Sequence, residues 1–311
     1  MQAIRIHAFE PDNLRLESVD SLQPGPGEVL IRNQAAGVNP IDWKTCMGGG
    51  ASGFIESFPW TPGWEFSGEV AALGEGVTEF SVGDTVLGFI RFPHPAGCYA
   101  EEVIAPASEI TLRPEGLEAT TAAGLGLAGL TAWQALFDKG QLVSGEKLLV
   151  LAGAGGVGHL AIQLAKAAGA EVTATSSTKN HAYLKDLGCD TVLNYQQLEM
   201  ASLANQFDLI LDGVGADTGI DALIALKPNG RMVTLPSVTA AQVAAAAEGT
   251  DVTVLSIRAE PNALQLAELA NRVAKGELKL KVAQVLPLSQ AADAHRLSAS
   301  GHVSGKLILQ I

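Results

Sequence analysis

The sequence is poor in cysteine, in aromatic residues and in positive charge. Its 311 residues include only three cysteines, Cys46, Cys98 and Cys189. The number is odd, the spacings are wide and no C-x-x-C occurs. That argues against a disulfide framework or a cysteine-built zinc lobe. A reducing compartment suits such a chain, and the cytoplasm is the expected location. Lysine and arginine number 20 against 33 acids, for a net charge of −13. That field repels a phosphate backbone, so no nucleic acid is expected as a partner. An anionic ligand has to be held by local donors. The six histidines (7, 94, 159, 181, 295, 302) never pair at a ligand spacing such as H-E-x-x-H, so no metal is expected. The opening MQAIRIHAFE alternates like a strand and has no secretory h-region.

Long apolar runs are scarce too. One uncharged stretch, ATTAAGLGLAGLTAWQALF at 119–137, has 19 residues, near spanning length. It holds few large aliphatics and much Gly and Thr, so it predicts a buried helix and no membrane span. Apolar residues make up 47% of the chain and charged residues 17%. That is enough apolar material for a buried core and argues against disorder.

What is present changes character along the chain. Up to about residue 115 the sequence is rich in Pro and Gly, with short β-like runs such as EVLIRNQAAGVNP, FSGEVAALG and DTVLGFI. These predict a small antiparallel barrel or sandwich. From about 119, strands and helices alternate. KLLVLAG, AEVTATS, DTVLNY, FDLILDGV, RMVTLP and VTVLSI read as strands; VGHLAIQLAKAAG, NHAYLKDLG and TAAQVAAAAEG read as helices. Continuous apolar strands suit a parallel sheet covered on both faces, and the β-α alternation predicts a doubly wound α/β sheet. The tail adds an amphipathic helix, PNALQLAELANRVAKGELKLK, and a last strand in GHVSGKLILQI. We therefore expect domains at 1–118 and 119–258, with 259–311 returning to the first.

Three segments match G-x-G-x-x-G: GGGASG (48–53), GLGLAG (124–129) and GAGGVG (153–158). Glycine is 34 of 311 residues, so chance supplies about 0.4 matches over about 306 windows and the pattern alone says little. Only GAGGVG follows an apolar strand and opens a helix. That context suits a dinucleotide cradle. Gly153 and Gly155 allow a tight turn and close approach to a pyrophosphate, Gly158 allows helix and strand to pack, and the helix offers free N–H groups.

The next strand bears on which nucleotide. An NAD site usually carries Asp or Glu at that strand's C-terminal end, for the ribose 2′-hydroxyl. Here the end reads TATSSTKN (173–180), while Glu171 stands at the strand's start and Asp186 lies in the following helix. Ser176, Ser177 and Lys179 offer hydroxyls and a cation, which favours NADPH. The competing explanation is a helix cap followed by a solvated lysine.

Gly145 to Lys166, GEKLLVLAGAGGVGHLAIQLAK, resembles the signature of the zinc-free quinone oxidoreductases (ζ-crystallin-like) of the medium-chain dehydrogenase/reductase superfamily. It matches at Gly145, Glu146, Leu149, Gly153, Ala154, Gly155, Gly156, Gly158, Gln163 and Lys166. AAGVNPIDWKTCMGG, TPGWEFSGEV, GCYAEEV, AGLTAWQAL and GHVSGKLIL resemble further family segments, so the likeness spans nearly the whole chain. It implies a GroES-like β domain plus a Rossmann domain, with the active site between them, and a homodimer. The superfamily's zinc alcohol dehydrogenases carry Cys where this chain has Asn39–Pro40, and G-H-E where it has Gly63-Trp64-Glu65; an indole does not ligate a metal. Without a Lewis acid, quinones and α,β-unsaturated carbonyls become better hydride acceptors than plain ketones.

The candidate catalytic residues are Asn39, Asp42, Lys44 and Tyr99. Asn39 has two readings, a donor to the substrate carbonyl or nicotinamide, or plain turn chemistry before Pro40. Asp42 either orients Lys44 or the nicotinamide ribose, or caps a helical turn. Lys44 stands where many quinone oxidoreductases have Tyr and where the alkenal/enone reductases resembling this chain often have Lys. It either stabilises a developing enolate or is a solvated surface lysine. Tyr99 either donates a proton or packs with its hydroxyl bonded locally. His94, in a Pro-rich loop, has no visible partner. The resemblance also implies cofactor contacts at Thr131, Val157, Tyr195, Asp212, Gly213, Val214, Gly215, Ser256 and Arg258, beside the glycine turn itself. The expected function is an NADPH-dependent, zinc-free oxidoreductase acting on a small-molecule quinone or enone/enal. The alternatives are an alkenal/enone reductase with little quinone activity, and a non-catalytic NADPH-binding structural or sensor protein.

Overall fold

The protein is described by a computed structural model that covers residues 1–10 and 13–311. The chain forms two compact units, Met1–Leu130 with Glu260–Ile311, and Thr131–Ala259.

The first unit opens with strands β1 (Gln2–Arg5) and β2 (Arg15–Ser18), which pair antiparallel. Strand β3 (Glu28–Val38) then runs through the centre of the larger sheet. Its first half alternates, burying Val29, Ile31 and Asn33; from Ala35 to Val38 every residue is buried because both faces are covered. Helix α1 (Pro40–Cys46) follows at once, with proline in its first turn, where the missing N–H costs nothing. Strands β4 (Glu65–Leu73), β5 (Thr85–Phe89), β6 (Glu102–Pro106) and β7 (Ile110–Leu112) complete the N-terminal part.

The uncharged stretch 119–137 is not one helix. It breaks into α2 (Ala119–Ala122), α3 (Gly126–Trp133) and a π-helical stretch, Gln134–Lys139. Among the described residues no helix is long and apolar enough to cross a membrane. Residues 119–130, expected in the nucleotide-binding domain, belong to the first unit. The reason is close packing through glycine. A side chain at Gly124 would meet Ile308, and one at Gly126 would meet Phe89 and the Glu65 side chain.

In the second unit, β8 (Lys147–Val150), α4 (Gly158–Ala167), β9 (Glu171–Ser176), α5 (His181–Asp186) and β10 (Thr191–Asn194) make one half. Strand β11 (Phe207–Asp212), α6 (Ala216–Ala222), β12 (Leu226–Thr234), α7 (Ser237–Ala246) and β13 (Thr253–Ser256) make the other. All neighbours are parallel, in the order β10-β9-β8-β11-β12-β13. This is the doubly wound order, with its switch point between β8 and β11. Strands β8, β9 and β11 are buried along nearly their whole length, as a sheet covered by helices on both faces requires.

The tail supplies α8 (Ala263–Ala274), β14 (Val282–Pro287), α9 (Ala291–Ala299) and β15 (Lys306–Gln310). Leu269 of α8 packs on Gly129 of α3. Strand β15 pairs antiparallel with β3, with Ile308 opposite Gly37, and parallel with β14. The closing strand thereby delivers Lys306 to the end of β3.

Candidate functional site

In the second unit the polar groups gather at the carboxyl ends of the strands. The turn 151–157 joins β8 to α4. Its left-handed residue is Ala152, at φ 55°, and none of Gly153, Gly155 and Gly158 adopts positive φ. Gly153 and Gly158 are there for proximity. A Cβ at Gly158 would lie 2.5 Å from the Ala152 carbonyl oxygen, and one at Gly153 would lie 2.8 Å from Ala174 Cβ. Gly155 is more open, its nearest neighbour being the Ala152 oxygen at 3.2 Å. The N–H groups of Gly156 and Val157 have no acceptor among the described residues. Free N–H groups at the head of a helix are the kind of donors that can hold an anion.

The loop after β11 faces this turn across the switch point: a Cβ on Gly213 would stand 3.2 Å from the Leu151 oxygen. Asp212 is fully buried. Its carboxylate accepts from the N–H groups of Val214 (2.9 Å) and Gly215 (2.8 Å) and from the Thr234 hydroxyl (2.8 Å). Asp212 therefore shapes the loop, while Val214 is exposed.

At the end of β9, Ser176 is buried, Ser177 accepts from the Asn180 amide at 3.3 Å, and Lys179 is exposed without an ion pair. The Tyr195 N–H bonds the Ser176 carbonyl at 3.3 Å, which sets the half-exposed Tyr195 beside the serines. No carboxylate is bonded in this group. Ser256, at the end of β13, and Arg258 beyond it are both exposed, and Thr131 is buried in α3. The turn and the free N–H pair fit a dinucleotide, and Ser176, Ser177, Lys179 and Tyr195 are the groups beside the second strand that would meet its adenosine ribose.

The first unit holds a buried polar cluster at the junction of β3, α1, β4 and β15. Lys306 is 3% exposed and Glu65 is fully buried. The Lys306 ammonium donates to Glu65 Oε1 at 2.9 Å, to the Val38 carbonyl at 3.2 Å and to Asn39 Oδ1. Asn39 Nδ2 donates to the same Glu65 oxygen at 2.7 Å, and Glu65 Oε2 accepts from the Leu127 N–H at 2.7 Å. All three donors of the ammonium are thus used.

A second chain of bonds starts one turn along. Asp42 Oδ2 accepts from the Asn39 N–H at 2.6 Å and from the Tyr99 hydroxyl at 2.8 Å; the hydroxyl lies 3.3 Å from His295 Nε2. Asp42 Oδ1 has no partner. Burial pushes the Asp42 carboxyl up to about 7, against the pull of its two donors and of Lys306. Burial also raises the Tyr99 phenol, helped by Asp42, and lowers His295 to about 4, so His295 is neutral. Lys44 is half-buried on α1, its ammonium 5.5 Å from the centre of the Trp43 ring. His94 is exposed, stacks edge-on with Phe54 and lends only its backbone oxygen to the Trp64 indole, at 2.7 Å.

Sequence reasoning brought Asn39, Asp42 and Tyr99 forward and did not single out Glu65, Lys306 or His295. A charge at the head of an apolar strand, as in Lys306-Leu-Ile-Leu, reads as a solvated strand end. Only the strand pairing of β15 with β3 shows otherwise. The positions where zinc dehydrogenases of the superfamily hold their metal do not fit one here. Asn39 is committed to Lys306 and Glu65, and Trp64 is fully buried between Trp60 and Phe92. No group of three His, Cys, Asp or Glu residues gathers at metal-holding distance among the described residues.

Comparison with known proteins agrees with this architecture. Residues 25–115 match the alcohol dehydrogenase GroES-like domain, and residues 187–309 match the zinc-binding dehydrogenase domain, whose metal this chain's residues do not fit. The chain is 33% identical over 324 residues to a chloroplast envelope quinone oxidoreductase homolog of Arabidopsis thaliana, covering 100% of this chain and 98% of that one. It is 30% identical to a 2-haloacrylate reductase of a Burkholderia species, over 96% and 95% of the two chains. The solved quinone oxidoreductase of Coxiella burnetii superposes with a TM-score of 0.96 at 38% identity, over 100% and 99%. The chain belongs to the medium-chain dehydrogenase/reductase superfamily, in its zinc-free quinone oxidoreductase-like family, and is an NAD(P)H-dependent oxidoreductase.

Proposed function

We infer that the protein is an NADPH-dependent reductase that delivers hydride to a quinone or to the β-carbon of an α,β-unsaturated carbonyl. The observation that carries the cofactor choice is the acid-free group at the end of β9. There Lys179 has no carboxylate partner and stands with Ser176, Ser177 and Tyr195. A 2′-phosphate would find a cation and hydroxyls there, where NAD-specific sites place a repelling acid. Gly155, Gly156, Val157 and Gly158 would take the pyrophosphate; Gly213, Val214, Ser256 and Arg258 would border the rest.

NADPH, when bound, supplies the hydride. The chain's own residues orient the acceptor, exclude water and polarise its carbonyl. Asn39 and Lys44 are the donors for that carbonyl oxygen. Tyr99 and Asp42 hold the start of α1, and the proton that completes the reduction comes from solvent. A conjugated acceptor is favoured because no metal-ligating set stands at Asn39 and Trp64 to activate a plain ketone.

A second reading, an alkenal/enone reductase with little quinone activity, is favoured by Lys44. Its ammonium has no anionic partner and suits a developing enolate. The open edge of β13 in the six-stranded sheet supports a homodimer, checked by sedimentation. Three free, buried cysteines support a reducing compartment, the cytoplasm.

The test is to incubate the protein with NADPH or NADH and a panel of 1,4-benzoquinone, an enone and an enal, following loss of cofactor absorbance. Turnover of quinone or enone with a preference for NADPH is expected. Preference for NADH would sink the reading of Lys179. Tight NADPH binding without oxidation by any acceptor would make the protein a binding module.

A further inference from the structure

Asn39 stands between two opposite buried charges. An ammonium approaches its Oδ1 and a carboxylate accepts from its Nδ2. Only one amide orientation satisfies both. The flipped amide would set NH2 against the Lys306 ammonium and C=O against the Glu65 carboxylate. Burial leaves no water to soften those clashes, since the three residues are 2%, 3% and 0% exposed.

Such a pair is a weak device for stability, because desolvation offsets most of its attraction and an apolar replacement often serves as well. What it provides is a fixed and polarised amide. The cation on Oδ1 draws density from the nitrogen, and Nδ2 spends one hydrogen on Glu65. The other amide hydrogen has no acceptor among the described residues. The backbone beneath is held as well, by Lys306 on the Val38 carbonyl and by Asp42 on the Asn39 N–H.

We propose that Lys306 and Glu65 are positioning residues that lock the Asn39 amide in one orientation and keep its second Nδ2 hydrogen available to the carbonyl of the acceptor. This rests on the reading of Asn39 as a site residue. Neither charged residue touches the reacting atoms, and both act through Asn39.

The test removes both charges together, as Glu65→Gln/Lys306→Met, so that no unpaired ion remains to unfold the protein. Two readouts are taken. The first is the Asn39 side-chain amide pair in a nitrogen–proton spectrum, identified by its loss in Asn39→Ala. Two well-separated resonances are expected in the wild type, collapsing toward free-amide positions in the double variant. The second is kinetic, with NADPH and 1,4-benzoquinone. The double variant should lose roughly 10- to 100-fold in kcat, as expected for a misplaced catalytic donor. It should keep its NADPH dissociation constant within about two-fold, and its melting temperature should be held or raised. Lys306→Arg should keep most of the kcat. In an Asn39→Ala background the double change should lower kcat no further, because the lever it works through is gone.

Unmoved amide resonances, or the full loss repeated in the Asn39→Ala background, would overturn the proposal. If Asn39→Ala keeps wild-type kcat while the resonances do collapse, the lock is upheld and Asn39's part in turnover falls. Glu65→Gln/Lys306→Gln, which keeps hydrogen-bonding groups at both positions, is read the same way should the first pair not fold.

Discussion

The second unit leaves its decisive polar groups open, whereas the first buries them. At the head of α4 the N–H groups of Gly156 and Val157 have no protein acceptor, and Lys179 stands exposed without a partner. At the end of β3, by contrast, Lys306, Glu65, Asn39, Asp42 and Tyr99 are each under 6% exposed and bonded to one another. The open set suits a ligand that brings its own charge. The closed set suits geometry that has to survive repeated turnover. The difference predicts that substitutions will separate cleanly: those in the first unit act on stability and turnover, those in the second on cofactor affinity.

The largest effect should come from leaving one buried charge alone. Lys306→Met leaves the buried Glu65 beside Asn39 without its cation. Breaking a buried pair in this way costs about 3–5 kcal/mol. Urea unfolding should register that loss, and adding Glu65→Gln should recover it. NADPH affinity of the folded fraction should stay near wild type, since the glycine turn belongs to the other unit. A loss of NADPH affinity as large as the loss of stability would break the comparison.

A smaller effect, of another kind, is expected at Lys179. Removing a charge-assisted contact to phosphate costs about 1.4 kcal/mol, or tenfold in affinity. Lys179→Ala should weaken NADPH by about that factor and leave NADH unchanged, as measured by fluorescence titration with each cofactor. Stability should hardly change, because the side chain is exposed and bonds nothing. Equal weakening of both cofactors would place Lys179 at the pyrophosphate and away from the 2′-position.

These two sets of residues differ in the same way in how far the sequence discloses them. The glycine turn is contiguous: strand, turn and helix lie within Lys147–Ala167, so local pattern finds it and rejects the decoys at 48–53 and 124–129. The left-handed conformation falls on Ala152, and Gly153 and Gly158 answer crowding by backbone and side chains that no single-sequence pattern displays. The six parallel strands were legible because their apolar runs are continuous. The buried cluster was legible only in part. Asn39 and Asp42 sit three apart at a helix start, a local motif, while Lys306 joins them from 267 positions away. Nothing in spacing or periodicity links residues so distant. The register of β15 on β3 does so, and register is a property of the folded sheet. The segment 119–130 falls in the first unit for a related reason. Its apolar pattern shows that it is buried, and only its glycines in contact with Ile308 and Phe89 show against which unit.

The smallest expected effect is a cancellation within the buried set. Asp42 is raised from an ordinary 3.8 to about 7. Between those values the folded protein holds a proton that the unfolded chain has lost, so this group makes stability fall as pH rises, by up to about 1.4 kcal/mol per pH unit. His295 is lowered from 6.5 to about 4. Between those values the unfolded chain holds the extra proton, so His295 makes stability rise with pH at a similar slope. The two windows overlap from about pH 4 to 6.5. For this pair the wild type should therefore show little net slope there. Single substitutions should expose it. Asp42→Asn should leave stability rising with pH across that window, and His295→Gln should leave it falling until about pH 7. Urea unfolding over a pH series checks both signs. If both variants sloped the same way, the buried chain from Asp42 through Tyr99 to His295 would not hold its two ends neutral, and the closed character of the first unit would be lost with it.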